Sequence, residues 1–217
     1  VTIDNPGGYG FIGSGNQLQV MDIQRKGEAG TEQVVKSINT VTQVVATAIT
    51  MDRSRAFAAV RSDPTNNVPG GVWIIDGVAL QKADADPSTA VVDMIKLPFG
   101  QSPTAITLDP QEHFLYIAAN GVVYAVDINP ASDKQYQLLD SSGNPLPNTA
   151  IVVTTPTGKI NDLAVNADGT RLYLTAPATG LYDGTKPWVQ GGRDVGFVLV
   201  INVDERDQPH PTATNPT

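Results

Sequence analysis

The feature that most constrains this chain is a unit of three short strand-like runs that recurs four times along it. The unit is clearest in residues 103–128, PTAITLDPQEHFLYIAANGVVYAVDI. Its first run, 104–108, ends at Asp109-Pro110, a turn-opening pair, and Gln111, Glu112 and His113 carry the chain round. The second run, 114–118, leads into Asn120-Gly121, the strongest short hairpin signal. The third, 122–128, is rich in β-branched residues and closes at Asn129-Pro130. Three such runs make an antiparallel meander, and nothing in this one resembles an active site.

In each unit the first run ends on an acid or amide: Asp4, Asp52, Asp109 and Asn166, spaced by 48, 57 and 57 residues. The second runs are 9–12, 56–60, 114–118 and 172–175. The third runs end at Asp22, Asp76, Asp127 and Asn202. A fourth run is visible three times, at 33–38, 90–97 and 150–155. After Asn202 there is none. A charged, proline-rich stretch follows from Asp204 to Pro211, then a tail with the composition of a linker or frayed end.

Four strands per unit of this length predict β-propeller blades. One such sheet cannot bury both of its faces alone, and stacking sheets buries them. A helical alternative is weak: 16 prolines and 20 glycines interrupt the chain, and no segment holds a 3.6-residue apolar period for three turns. The expected fold is therefore all-β. It consists of about four blades of four-stranded antiparallel meanders, near 1–40, 41–98, 99–157 and 158–203, with 204–217 as a tail. The last blade is expected to end on an unpaired edge, because Pro209 and Pro211 cannot donate to a ladder. That open edge, and a sequence starting at Val1, lead to the expectation of a piece of a larger propeller. Its open faces would be covered by further blades of the parent chain or by self-association.

Two stretches carry a family resemblance. One is Asn166-Ala167-Asp168-Gly169 with Leu172-Tyr173-Leu174-Thr175. The other is Leu115-Tyr116-Ile117-Ala118-Ala119-Asn120 with Ala125-Val126-Asp127. Both resemble the YVTN family of β-propeller repeats, which is related to the seven-bladed lactonase-like propellers. The first two units depart from the pattern, with Asn5-Pro6-Gly7-Gly8 and Arg53-Ser54-Arg55 in place of its turn. The resemblance implies a propeller. Its motifs encode strand packing, so it says little about activity.

Charge and composition exclude several function classes. The net charge is −8 and the pI near 4.6, against the basic face that nucleic acid or an anionic membrane surface requires. No run approaches the roughly 20 apolar residues of a membrane span, so no membrane insertion is expected. With no cysteine, disulfides and thiolate metal sites are ruled out.

The candidate polar residues each have a structural reading beside a chemical one. The strand-end acids could line a rim and bind a cation, but Asp and Asn cap the amides of their own turns in such positions, and that reading is preferred. Asp84-Ala85-Asp86, within the insertion 77–88, has a spacing that can begin a calcium loop, but it lacks the glycine and distal Glu. A solvated loop is the preferred reading. His113 and His210 have no partners from which to assemble a zinc site or a nucleophilic triad. Gly13-Ser14-Gly15 is too short for a phosphate loop.

The best candidate surface is the long insertion 176–195, which holds Tyr182, Trp188 and Arg193, residue types enriched in binding hot spots. The functional expectation is a non-catalytic interaction or scaffold module of a larger exported or cell-surface bacterial protein, with a protein or glycan partner and no cofactor. Its location would be extracellular, periplasmic or at the cell surface. The alternative is a lactonase-like propeller enzyme acting on a sugar lactone.

Overall fold

The computed structural model describes residues 2–3, 9–22, 33–81, 86–98, 100–139, 159–176, 197–203 and 212–213. Among them the chain is nearly all strand. The first repeat holds β1 (Thr2–Ile3), β2 (Tyr9–Ser14), β3 (Gln17–Asp22) and β4 (Gln33–Asn39). The second holds β5 (Val44–Ile49), β6 (Arg55–Val60), β7 (Gly71–Asp76) and β8 (Val91–Lys96). The third holds β9 (Pro103–Leu108), β10 (Phe114–Ala119), β11 (Val122–Asp127) and β12 (Leu138–Leu139). The fourth holds β13 (Asp162–Val165), β14 (Arg171–Ala176), β15 (Phe197–Asn202) and β16 (Thr212–Ala213). Within every repeat the strands follow one another across the sheet in chain order. These are the expected antiparallel meanders. The chain divides into two compact units, 1–108 and 109–217.

Three details differ from the expectation. The last repeat does have a fourth strand: Thr212 and Ala213 pair with Asn202 and Ile201 of β15. The prolines that argued against a strand, Pro209 and Pro211, fall before it, so the ladder does not need their missing N–H groups. In the third repeat the strand on β11 is Leu138–Leu139, paired with Val126 and Ala125. The expected run 150–155 lies outside the described residues. The insertion 77–88 is also not simply a loop. Asp76 Oδ1 accepts the N–H groups of Val78 (2.9 Å) and Ala79 (3.0 Å), which starts the short helix α1 (Gly77–Gln81). A 3-10 turn, Pro87–Ala90, follows, with proline in its first turn.

The strands are buried in a way that follows from stacking. In β6, Ala56, Phe57, Ala58, Ala59 and Val60 are all buried, although successive side chains point to opposite faces. β10 shows the same pattern from Leu115 to Ala119. A middle strand buried on both faces needs cover on both. In the first unit, Ala56, Ala58, Val60 and Ile75 share one core with Phe11, Leu18, Val20, Ile38 and Val44. β9 packs against β5 and β6, which have that core on their other side. In the second unit β13 packs against β10. Close approach sets residue size at the contact. A Cβ on Gly13 would lie 2.8 Å from Val44 Cγ1 and 2.9 Å from its carbonyl oxygen, so only glycine lets β5 come so near to β2.

Strand register aligns the repeats and brings out a pattern in the second strands. Tyr9 faces Asp22, Arg55 faces Asp76, Phe114 faces Asp127 and Arg171 faces Asn202. Two residues into each second strand stands an aromatic: Phe11, Phe57, Tyr116 and Tyr173. Two further on stands a small residue: Gly13, Ala59, Ala118 and Thr175.

Candidate functional site

A corner between the first and second strands recurs three times with the same hydrogen bonds. Asp109 Oδ1 accepts the Phe114 N–H at 2.5 Å, while the Asp109 N–H donates to the Phe114 carbonyl at 3.0 Å. Asn166 makes the same pair with Arg171, its Oδ1 accepting at 2.7 Å and its N–H donating at 3.0 Å. In the second repeat the role falls to Thr50, whose Oγ1 accepts the Arg55 N–H at 3.0 Å. Three residues into each corner the chain turns left-handed, at Arg53 (φ 61°), Glu112 (φ 58°) and Gly169 (φ 75°). Their N–H groups donate to the carbonyls of Thr50, Asp109 and Asn166 at 3.0, 3.0 and 3.1 Å. The left-handed residue is what lets six residues reverse direction while leaving the strand ladder in register.

This geometry corrects one assignment and supports the structural reading of the others. Asp52 is not the counterpart of Asp109; Thr50 is. Asp52 Oδ1 instead accepts the Ser54 N–H (2.9 Å) and the Thr50 hydroxyl (2.7 Å). Its true counterpart is Asp168, whose Oδ1 accepts from the Thr170 N–H (3.0 Å) and hydroxyl (2.6 Å). These bonds hold both carboxyls below their ordinary range. The chief cause at Asp52 is the Ser54 backbone bond, and at Asp168 the Thr170 side chain. Asp127 Oδ1 accepts from the Asn129 N–H at 2.9 Å, and its other oxygen accepts from the Ser132 hydroxyl. Asp63 accepts from Asn66 Nδ2 at 2.6 Å and from the amides of Thr65 and Asn66, and its carboxyl is likewise lowered. Asp4 and the side chain of Asp22 lie outside the described part of the structure. The Asp and Asn oxygens at these corners therefore point at their own turns.

The remaining candidates are distributed as follows. Asp84, Ala85 and His210 lie outside the described residues. Asp86 caps the Pro87–Ala90 turn, its Oδ1 accepting the Ser88 N–H at 2.9 Å and hydroxyl at 2.8 Å. His113 is exposed at the third corner, and its carbonyl accepts the Ile128 N–H at 2.8 Å. Among the described residues, no group of three His, Asp or Glu side chains is placed to hold a metal ion. Also among the described residues, no helix is long and apolar enough to cross a membrane. Tyr182, Trp188 and Arg193 lie outside the described residues, in 177–196.

Four-stranded antiparallel meanders, stacked by the opening strand of one repeat on the sheet before it, define the class: an all-β chain of propeller-type sheets. Among solved structures, the chain is similar to a Bacteroides uniformis protein assigned as a 6-phosphogluconolactonase. The TM-score is 0.58 and the identity 15%, over 92% of this chain and 51% of that one. The likeness is one of fold, and the chain spans about half the length of that structure. No family model matches the chain, so the narrower YVTN label has no family match behind it. Among curated proteins, the chain resembles in part the bifunctional protein GlmU of Streptococcus sanguinis, 27% identical over 150 residues. It also resembles that of Streptococcus gordonii, 30% identical over 139 residues. These matches cover 62% and 58% of this chain but only 31% and 27% of the streptococcal proteins. The two likenesses carry different names, and the structural one covers more of the chain.

Proposed function

We propose that the chain supplies sheets to a lactonase-like propeller that acts on a sugar lactone, with a YVTN-type repeat as its structural unit. The likeness to the lactonase-assigned structure over 92% of the chain carries this reading. The chemistry would be addition of water to the lactone carbonyl, with the ring oxygen leaving as a hydroxyl. By residue type, Arg193 is suited to an anionic group on a sugar acid, and Tyr182 and Trp188 offer flat faces to its ring.

A second reading is a non-catalytic interaction module of an exported or cell-surface protein, with a protein or glycan partner. It is favoured by the corners, where carboxylate oxygens bind the amides of their own turns. One experiment separates the two: hydrolysis of a panel of sugar lactones, with and without divalent metals. Turnover that is lost in Arg193→Ala at unchanged melting temperature supports the enzyme. No turnover on any lactone sinks it and leaves the interaction module.

A further inference from the structure

We propose that the outer edge of β8 is a self-pairing surface for a second copy of this chain, and that Asp93 holds it shut. The inference stands apart from the proposed activity and involves no ligand.

A sheet edge offers unpaired N–H and C=O groups to any strand that comes near, and folded proteins blunt such edges by covering, shortening or charging them. The sheets of this chain do so in different ways. β4, the outer strand of the first sheet, lies against the Pro87–Ala90 turn. Lys36 of β4 donates from Nζ to the Leu80 carbonyl at 2.5 Å, and Leu80 and Ala90 share a core with Ile38. β12 and β16, the outer strands of the third and fourth sheets, have two residues each. β8 has six, and among the described residues no strand lies beyond it. Val92, Asp93 and Lys96 are exposed along it.

The backbone directions at this edge follow from the register. The Leu97 N–H donates to the Gly70 carbonyl at 3.0 Å, so these two residues form a hydrogen-bonded pair. Bonded and non-bonded pairs alternate along an antiparallel ladder. Ile95 with Val72 and Asp93 with Ile74 are therefore bonded pairs, while Met94 with Trp73 and Lys96 with Gly71 are not. The N–H and C=O groups of Met94 and Lys96 point away from β7, toward the open side.

The composition of this edge favours pairing. β8 reads VVDMIK, and four of its six residues are apolar. Short segments of high β-propensity and low charge, free of proline, are the ones that add strand to strand. Asp93 interrupts the apolar run. Its Oδ1 accepts the Met94 N–H at 2.7 Å, so an outward amide is already occupied by the neighbouring side chain. On the other side of Asp93 the ladder shifts register, leaving Val92 as an extra residue that breaks regular pairing.

The partner that fits is the same strand, run antiparallel. A ladder forms only where outward groups meet outward groups, which sets Met94 opposite Met94 or opposite Lys96 of the copy. With Met94 opposite Met94, each Met94 N–H would donate to the carbonyl of the other, and that N–H is the donor that Asp93 holds. In the same register the two Asp93 carboxylates become diagonal neighbours on one face, where like charges repel. Asp93 thus opposes pairing twice, through the amide it binds and through its charge.

The test uses the 217-residue chain. After correction for intrinsic rates, the Met94 amide should exchange with solvent several-fold more slowly than the Lys96 amide, which points the same way. Equal rates overturn the proposal. Asp93→Val should sediment as a dimer or larger species at concentrations where the unsubstituted chain does not change. Asp93→Asn keeps an oxygen for the Met94 N–H and should sediment like the unsubstituted chain. Adding Met94→Pro to Asp93→Val removes the outward N–H without touching the β7 ladder, and should abolish the association. The proposal is also overturned if folded Asp93→Val does not associate, if Asp93→Asn associates as strongly, or if the double variant still does. Circular dichroism reports whether each variant is folded, and the exchange comparison stands without any of them.

Discussion

Replacing Asp109 isolates what the corner contributes. The side chain is 2% exposed, and its two oxygens accept the Phe114 N–H at 2.5 Å and the Gln111 N–H at 3.2 Å. In Asp109→Ala both amides lose their acceptor. Gln111 is exposed and can bond water instead, so its loss is small. The Phe114 amide stands at the head of β10, where the chain is part-buried, and an unsatisfied donor there costs about 1–3 kcal/mol. The expected loss for Ala is therefore about 2 kcal/mol. The protein supplies its own controls, because the same position is Asn166 in the fourth repeat and Thr50 in the second. Asp109→Asn retains the bond to Phe114 and should cost less than about 1 kcal/mol. Asp109→Thr should fall between the two. Urea unfolding followed by far-ultraviolet circular dichroism measures the series, with the slope checked for constancy so that midpoints can be compared. If Ala and Asn cost the same, the hydrogen bond is not what holds the corner, and the account of the repeat is wrong.

Three other outcomes follow from the same geometry. Gly13→Ala should destabilise by about 1–3 kcal/mol, because its methyl meets backbone as well as side chain of Val44; Gly15→Ala is no control, since its φ of 57° is strained for another reason. Glu112→Gly should be neutral or stabilising by less than about 1 kcal/mol, since it relieves a left-handed residue, while Gly169→Ala should cost about 1 kcal/mol or more; thermal melts of the pair check both signs. Acid should destabilise the fold: Asp52, Asp63, Asp86 and Asp168 have folded pKa values below the ordinary 3.8, so their contribution is complete above that value and is lost as the pH falls through the lower folded values. Urea midpoints measured from pH 6 down to pH 2 should fall below about pH 4, and Asp52→Asn with Asp168→Asn should flatten the fall; an unchanged slope in the double variant would show that these turns do not carry it.

How far the sequence could be read depended on how local each signal was. Asn120-Gly121 announces its hairpin because two successive positive φ angles, 45° and 80°, suit few other pairs. Runs such as Val72 to Asp76 announce strands by composition. Strands of two residues announce nothing: Leu138–Leu139 and Thr212–Ala213 exist because a neighbouring strand offers an edge, not because of their own propensity. The corner at Thr50 was hidden for a related reason. A hydroxyl does there what a carboxylate and an amide do elsewhere, so an alignment on acids falls two residues late, on Asp52. The helix at Gly77–Gln81 is indistinct in the sequence because it has little more than one turn in which to show a period.

Function was harder to read because the signals that repeat are those of packing. An aromatic recurs at Phe11, Phe57, Tyr116 and Tyr173 because each sheet must receive the strand that follows it, and an acceptor recurs at Thr50, Asp109 and Asn166 because each corner must satisfy the same amides. A residue that binds a ligand is needed once, so it appears as a departure from the repeat and not as part of it. The departures visible in this chain are the insertion with Tyr182, Trp188 and Arg193, and the exposed face at Val198. The first departs in length and composition, and it is legible from the sequence. The second departs only in exposure: Val198 has the same residue type as its buried counterpart Val72. A valine reads the same in a row of letters whether covered or bare, and only the stacking of the sheets tells the two apart.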